Sequence, residues 1–161
     1  YLNGNQISDI ENLPPNLKIL DLTDNKITEI KNLPTNLQML YLSDNKITEI
    51  KNLPNSLQIL YLSNNKLTEI KNLPHYLQKI YLHYNKITRI PFELSLFNRL
   101  EVIHFSNNPI EYIHPVTQRW LRRFERNSEN TKVYSDSQNI HNSNIQKSFR
   151  KSVINIMKDN I

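Results

Sequence analysis

The chain has 161 residues, enough for one domain and a tail, and carries 20 Lys and Arg against 15 Asp and Glu. It contains no cysteine, which excludes disulfide bridges, thiolate metal sites and cysteine nucleophiles and fits a reducing, intracellular compartment. Gly4 is the lone glycine, so glycine-rich phosphate loops, dinucleotide fingerprints and the nucleophile elbow are excluded as well.

No apolar run reaches the length of a membrane span, and no signal peptide is visible. The first residues, Tyr1-Leu2-Asn3-Gly4-Asn5, read as the second half of a strand and its turn. Further repeats are therefore expected upstream of Tyr1.

Asparagine recurs at 5, 25, 45, 65 and 85, a fixed step of 20 residues, and the surrounding sequence repeats in phase. The block LKILDLTDNKITEIKNLPTN from Leu17 returns as LQMLYLSDNKITEIKNLPNS from Leu37 and LQILYLSNNKLTEIKNLPHY from Leu57. Self-similarity at so short a period indicates a solenoid. Within each unit the form is LxxLxLxxNxIxxI, the leucine-rich repeat signature.

Alternation in Leu20-Asp21-Leu22 predicts a half-buried strand. One such strand has no core of its own. Stacked about 4.8 Å apart in a parallel sheet, the strands would bury Leu20, Leu40, Leu60, Ile80 and Ile103 as one column and Leu22, Leu42, Leu62, Leu82 and Phe105 as the next. The asparagines fall where the chain leaves the strand, and their amides suit backbone groups that a turn leaves unpaired. Their role is structural rather than catalytic.

Units begin at Leu17, Leu37, Leu57, Leu77 and Leu100, so the last step is 23 residues, with room for a short helical turn after Pro91. The 20-residue units have no such room, and Leu33-Pro34, Leu53-Pro54 and Leu73-Pro74 favour an extended return path. The expected fold is α/β but mostly β: a curved solenoid with a parallel sheet on its concave face, an extended convex side and a carboxy-terminal helical cap.

The repeat array is assigned to residues 1–113 and the capping helix to 114–126. Pro115 suits a first helical turn, and Val116, Trp120 and Phe124, with Leu121 beside them, make an apolar face. Trp120 competes as an exposed binding anchor. Residues 127–161 are assigned as a polar linker followed by a basic amphipathic helix over about 142–159, where Ile145, Phe149, Val153 and Ile156 recur at helical spacing. Charge balances within residues 1–114, so the whole formal +5 lies beyond them. A tail of that kind would contact nucleic acid or acidic membrane, pack against a second copy, or simply dock on the solenoid.

The segments NLPPNLKILDLTDNKIT and NLPTNLQMLYLSDNKIT resemble the short LPX-type leucine-rich repeats of bacterial secreted effectors, which share the 20-residue unit and the LPxxLxxL lead-in. The bias to Asn, Ile, Lys and Tyr, expected from A+T-rich codons, and the Asn-rich tail also resemble repeat proteins of giant DNA viruses and amoebae. This resemblance covers residues 1 to about 113 and implies a binding scaffold, with host cytoplasm as a fitting location and a host protein as a fitting partner. Some relatives append a cysteine-dependent ubiquitin-ligase domain, for which this chain has neither length nor cysteine.

Residues between the buried leucines face the concave side. The columns are Ile19, Met39, Ile59, Lys79 and Val102, then Tyr1, Asp21, Tyr41, Tyr61, Tyr81 and His104, then Thr23, Ser43, Ser63, His83 and Ser106, then Asp24, Asp44, Asn64, Tyr84 and Asn107. Tyrosine offers large contact area with a polar end, so the expected partner-binding residues are Met39, Tyr41, Ile59, Tyr61, Lys79, Tyr81, His83, Tyr84 and His104. A stabilising side-chain ladder without a partner is the other reading of the tyrosines. His83 and His104 lie in adjacent columns, but no carboxylate aligns with them. No catalytic residue, cofactor site or metal centre is expected. A non-enzymatic protein-interaction scaffold follows.

Overall fold

The computed structural model describes residues 1–126 and the pair Val133–Tyr134. Three-residue strands recur once per repeat: β1 (Ile19–Asp21), β2 (Met39–Tyr41), β3 (Ile59–Tyr61) and β4 (Lys79–Tyr81). They are followed by β5 (Arg89–Ile90), a 3-10 helix at Phe92–Leu96, β6 (Val102–His104), β7 (Tyr112–Ile113), α1 (Pro115–Arg126) and β8 (Val133–Tyr134). The main sheet is parallel with order β1-β2-β3-β4-β6-β8, and β5 pairs with β7 in a second, two-stranded sheet. The solenoid expected from the period is the fold observed.

The pairing keeps equivalent residues opposite one another: Leu20↔Leu40↔Leu60↔Ile80↔Ile103. Leu40, Leu60, Ile80 and Ile103 are wholly buried, as are Leu42, Leu62 and Leu82 of the neighbouring column. Ile27, Ile47, Leu67 and Ile87 fill the layer behind them. Each such side chain contributes roughly 1.5–3 kcal/mol by leaving water. The central residue of each strand points inward while its two neighbours stay at least partly exposed, which is the alternation that fixes register.

The turn after each strand closes on the asparagine ladder. Asn65 donates through Nδ2 to the carbonyls of Leu42 (2.8 Å), Leu62 (3.2 Å) and Ser63 (3.2 Å), while its Oδ1 accepts from the Ile47 amide at 2.9 Å. Asn25, Asn45, Asn85 and Asn108 repeat this arrangement. Each amide thus satisfies its own turn and ties it to the preceding repeat.

A second asparagine series was not apparent in the concave columns. Asn12, Asn32, Asn52 and Asn72 adopt φ of 53–55°. Asparagine tolerates this left-handed region better than most residues. The amides of Asn32, Asn52 and Asn72 donate to the carbonyls of Ile10, Ile30 and Ile50 in the repeat before. On the return path, hydrogen bonds such as Leu37 N to Pro34 O at 3.2 Å close a turn in each unit, so that path is extended but punctuated.

The longer unit after Ile90 accommodates the 3-10 helix, which buries Leu94. Helix α1 packs on it through Leu121 and Phe124, both in the core, and through Thr117. Val116, assigned to the apolar face, is instead 47% exposed. Thr117 takes the buried position because its hydroxyl donates to Pro91 O at 2.7 Å, which removes the cost of burying it. Trp120 packs partly buried against the core, its ring 4.8 Å from that of Phe124. Val133–Tyr134, within the segment assigned as linker, pairs with β6 at the sheet edge. The helix assigned to 142–159 lies outside the described residues.

Replacing Asn65 with alanine is expected to leave the Ile47 amide unpaired in a buried turn, with Leu42, Leu62 and Ser63 O each keeping one other donor, and to cost about 1–3 kcal/mol. Asn5→Ala, at an exposed turn, should cost under about 1 kcal/mol. Urea unfolding of the two variants reads the contrast; equal losses would contradict the clamp.

Candidate functional site

Among the described residues the main sheet has one face on the core and one open. On the open face, Met39, Ile59, Lys79 and Val102 are half-buried, whereas Ile19 is 49% exposed. Beside them runs Asp21↔Tyr41↔Tyr61↔Tyr81↔His104, one residue per strand in register.

The tyrosines stack. Ring centroids are 4.8 Å apart between Tyr41 and Tyr61 at 15°, and 4.2 Å apart between Tyr61 and Tyr81 at 5°. These separations match the roughly 4.8 Å spacing of paired strands, so the backbone itself dictates the stack. Face-to-face rings cover one another and present edges and hydroxyls outward. Burial in the stack, together with a hydrogen bond to Tyr81 and the proximity of Tyr81 and Tyr41, pushes the Tyr61 hydroxyl from 10.0 up to about 12.

The row continues past the tyrosines. His104 meets Tyr81 edge-on with centroids 6.1 Å apart, His83 meets His104 at 4.7 Å, and Tyr84 meets His83 at 5.6 Å. Tyr84 therefore joins through His83, at the end of the row. Ser63, which sequence reading placed only among the hydroxyls, is buried and its Oγ lies 2.9 Å from His83 Nδ1. That contact runs along one column, whereas the 3.0 Å contact of His83 Nδ1 with His104 Nδ1 is diagonal, so inspection column by column does not show the latter.

Acidic groups flank the row. The Asp21 carboxylate accepts from its own Thr23 amide at 3.0 Å, and Asp44 accepts from the Asn64 side chain at 2.8 Å. Away from this face, Lys31 pairs with Asp9 at 2.9 Å and Lys51 bridges Glu29 (3.0 Å) and Glu49 (2.8 Å). Lys71 pairs with Glu69. The Lys51 ammonium holds the Glu49 carboxyl below its usual range. These pairs are solvated, and salt screens them.

The repeats are leucine-rich repeats, and the fold they build is the leucine-rich-repeat solenoid. Residues 35–75 match the family model described as leucine rich repeats in two copies, and residues 14–29 match a leucine rich repeat model.

The chain is similar to bacterial effector proteins of this kind. A Shigella effector leucine-rich-repeat domain shares 28% identity with a TM-score of 0.64, the match covering 84% of this chain and 62% of that one. A Leptospira interrogans leucine-rich-repeat protein shares 30% identity with a TM-score of 0.52, over 81% of this chain and 35% of that one. YopM from Yersinia enterocolitica shares 25% identity with a TM-score of 0.51, over 68% and 28%. The chain thus spans under two thirds of the length of each. No curated protein matches it in sequence. Leucine-rich-repeat folds typically serve as non-enzymatic protein-binding scaffolds, and among the described residues no helix is long and apolar enough to cross a membrane.

The raised Tyr61 value has a defined consequence. An unfolded tyrosine ionises near its ordinary 10.0, while the folded one holds its proton to about 12. The neutral hydroxyl therefore adds stability that is complete below the lower value and is lost as pH climbs toward the upper one. Tyr61→Phe is expected to flatten the fall in melting temperature over that window, and parallel curves for wild type and variant would contradict the coupling.

Proposed function

We propose that this chain is a non-enzymatic interaction module that binds a protein partner through the open, concave sheet face. The observation that carries the reading is the unbroken row Tyr41–Tyr61–Tyr81–His104–His83–Tyr84, flanked by the half-buried aliphatic side chains of Met39 and Ile59.

Mutual stacking fixes the tyrosine rotamers before any partner arrives, so little side-chain entropy remains to be lost on binding. Their hydroxyls and the imidazoles supply hydrogen bonds along an otherwise apolar strip. Such rigid aromatic groups dominate binding energetics in protein interfaces. Lys79 interrupts the aliphatic column and gives the strip a single cation opposite Ile59. The likeness to a Shigella effector domain supports a host protein as the partner.

Simultaneous alanine substitution of Tyr41, Tyr61, Tyr81 and Tyr84 is the test. Wild type and variant are immobilised, exposed to eukaryotic-cell lysate, and the captured proteins are quantified by mass spectrometry alongside circular dichroism of both baits. A specific partner should fall by at least about 30-fold, the equivalent of one lost hot spot. Undiminished capture by a folded variant would remove the face from the interaction.

A further inference from the structure

His83 and His104 depart from the repeat. The positions equivalent to His83 in the other units are Thr23, Ser43, Ser63 and Ser106, and those equivalent to His104 are Asp21, Tyr41, Tyr61 and Tyr81. Two unrelated columns each exchange their usual residue for histidine, in adjacent repeats. The result is a pair of imidazoles whose Nδ1 atoms lie 3.0 Å apart on the open face, with the Ser63 hydroxyl 2.9 Å from the first.

At that separation the two Nδ1 atoms share one hydrogen. Were both protonated, two N–H groups would point at each other. Were neither, two lone pairs would. The fold thus concentrates two nitrogen donors at one point.

We propose that His83 and His104 clip a late first-row divalent cation, with Cu²⁺ the best fit. For metal–imidazole bonds of about 2.0–2.1 Å, nitrogens 3.0 Å apart subtend an angle of about 91–97° at the metal. A tetrahedral angle would need them about 3.3–3.4 Å apart. The near-right angle is that of adjacent ligands in tetragonal coordination, and the affinity order places Cu²⁺ above Ni²⁺ and Zn²⁺ for nitrogen donors.

Before binding, one Nδ1 carries the shared hydrogen. On binding, that hydrogen moves to Nε2 of the same ring, and both Nδ1 lone pairs face the cation. No net proton leaves the imidazoles. The Ser63 hydroxyl stands beside His83 as a weak third donor.

Among the described residues no three His, Cys, Asp or Glu side chains could hold a metal together. Among the described residues the clip thus consists of two imidazole nitrogens with the Ser63 hydroxyl beside them. It rests on the imidazole geometry alone and is independent of the partner-binding role proposed for the face.

The untagged 161-residue chain is titrated with Cu²⁺ against glycine as competitor, by isothermal calorimetry, and the loaded protein is examined by electron paramagnetic resonance. One Cu²⁺ per chain is expected, with nitrogen couplings from two imidazoles. His83→Asn and His104→Asn should each weaken binding at least tenfold, and combining them should add little. Replacing His75, His114 and His141 together by alanine should leave the affinity unchanged. A spectrum without two imidazole nitrogens overturns the proposal whatever the variants do, as does unaltered affinity in either asparagine variant.

Discussion

A three-residue strand must end, turn and return within a 20-residue unit, and each turn strands backbone groups inside the protein. The structure depends on one side chain meeting that demand. An asparagine amide carries donors and an acceptor on a single short arm, so it can pair with the carbonyls behind it and the amide of the preceding repeat together. Asn45, for instance, reaches Leu22 O at 2.9 Å and Leu42 O at 3.2 Å while accepting from Ile27 N at 2.9 Å. Aspartate has the acceptors without the donors, and glutamine has a longer arm. Once the turn is fixed in this way, the register of every strand and the identity of the open face are fixed with it.

The same constraint explains why the open face is arranged in rows. Parallel pairing holds equivalent positions one strand apart, close to the thickness of two stacked rings, so a tyrosine copied from repeat to repeat stacks on its predecessor. Regularity alone would give a uniform stripe. Individual character arises where a unit departs from the pattern: Lys79 among aliphatic side chains, His104 among tyrosines, His83 among hydroxyls, and Tyr84 among Asp and Asn. All four lie on β4, on β6 or in the turn after β4. The amino-terminal strands supply the repeating platform, while the carboxy-terminal ones supply its distinguishing chemistry.

Columns were legible in the sequence because a periodic array converts position into location. Leu60 and Tyr61 could be assigned to opposite faces from their place in the unit, and the burial of Leu60 against the half-exposure of Tyr61 follows that assignment. Diagonal contacts were not legible in this way. The His83–His104 contact depends on side-chain rotamers reaching between columns, which periodicity does not encode. Helix α1 shows a related limit. Its apolar spacing marks a broad stripe but does not say which edge docks, and the Pro91 carbonyl decides the matter by accepting from Thr117 while Val116 faces outward. The pairing of Val133–Tyr134 with β6 gave even less signal, being two residues in a polar stretch.

Tyr84 shows how far the asparagine constraint reaches. The equivalent positions hold Asp24, Asp44, Asn64 and Asn107, all with φ of 52–57°, where short polar side chains are tolerated. Tyr84 has the same backbone at φ 56° with a bulky ring, at a cost of roughly 1–2 kcal/mol. Its conformation is imposed from outside the residue. The Tyr84 amide donates to Ser106 O at 3.1 Å, and the next residue is Asn85, whose amide locks the turn to Leu62 and Leu82. A turn held from both sides can therefore carry a residue that would not choose it. The freedom to place an aromatic ring at the end of the Tyr41–His83 row is a consequence of the asparagine beside it, and the strain sits where the array is most over-determined.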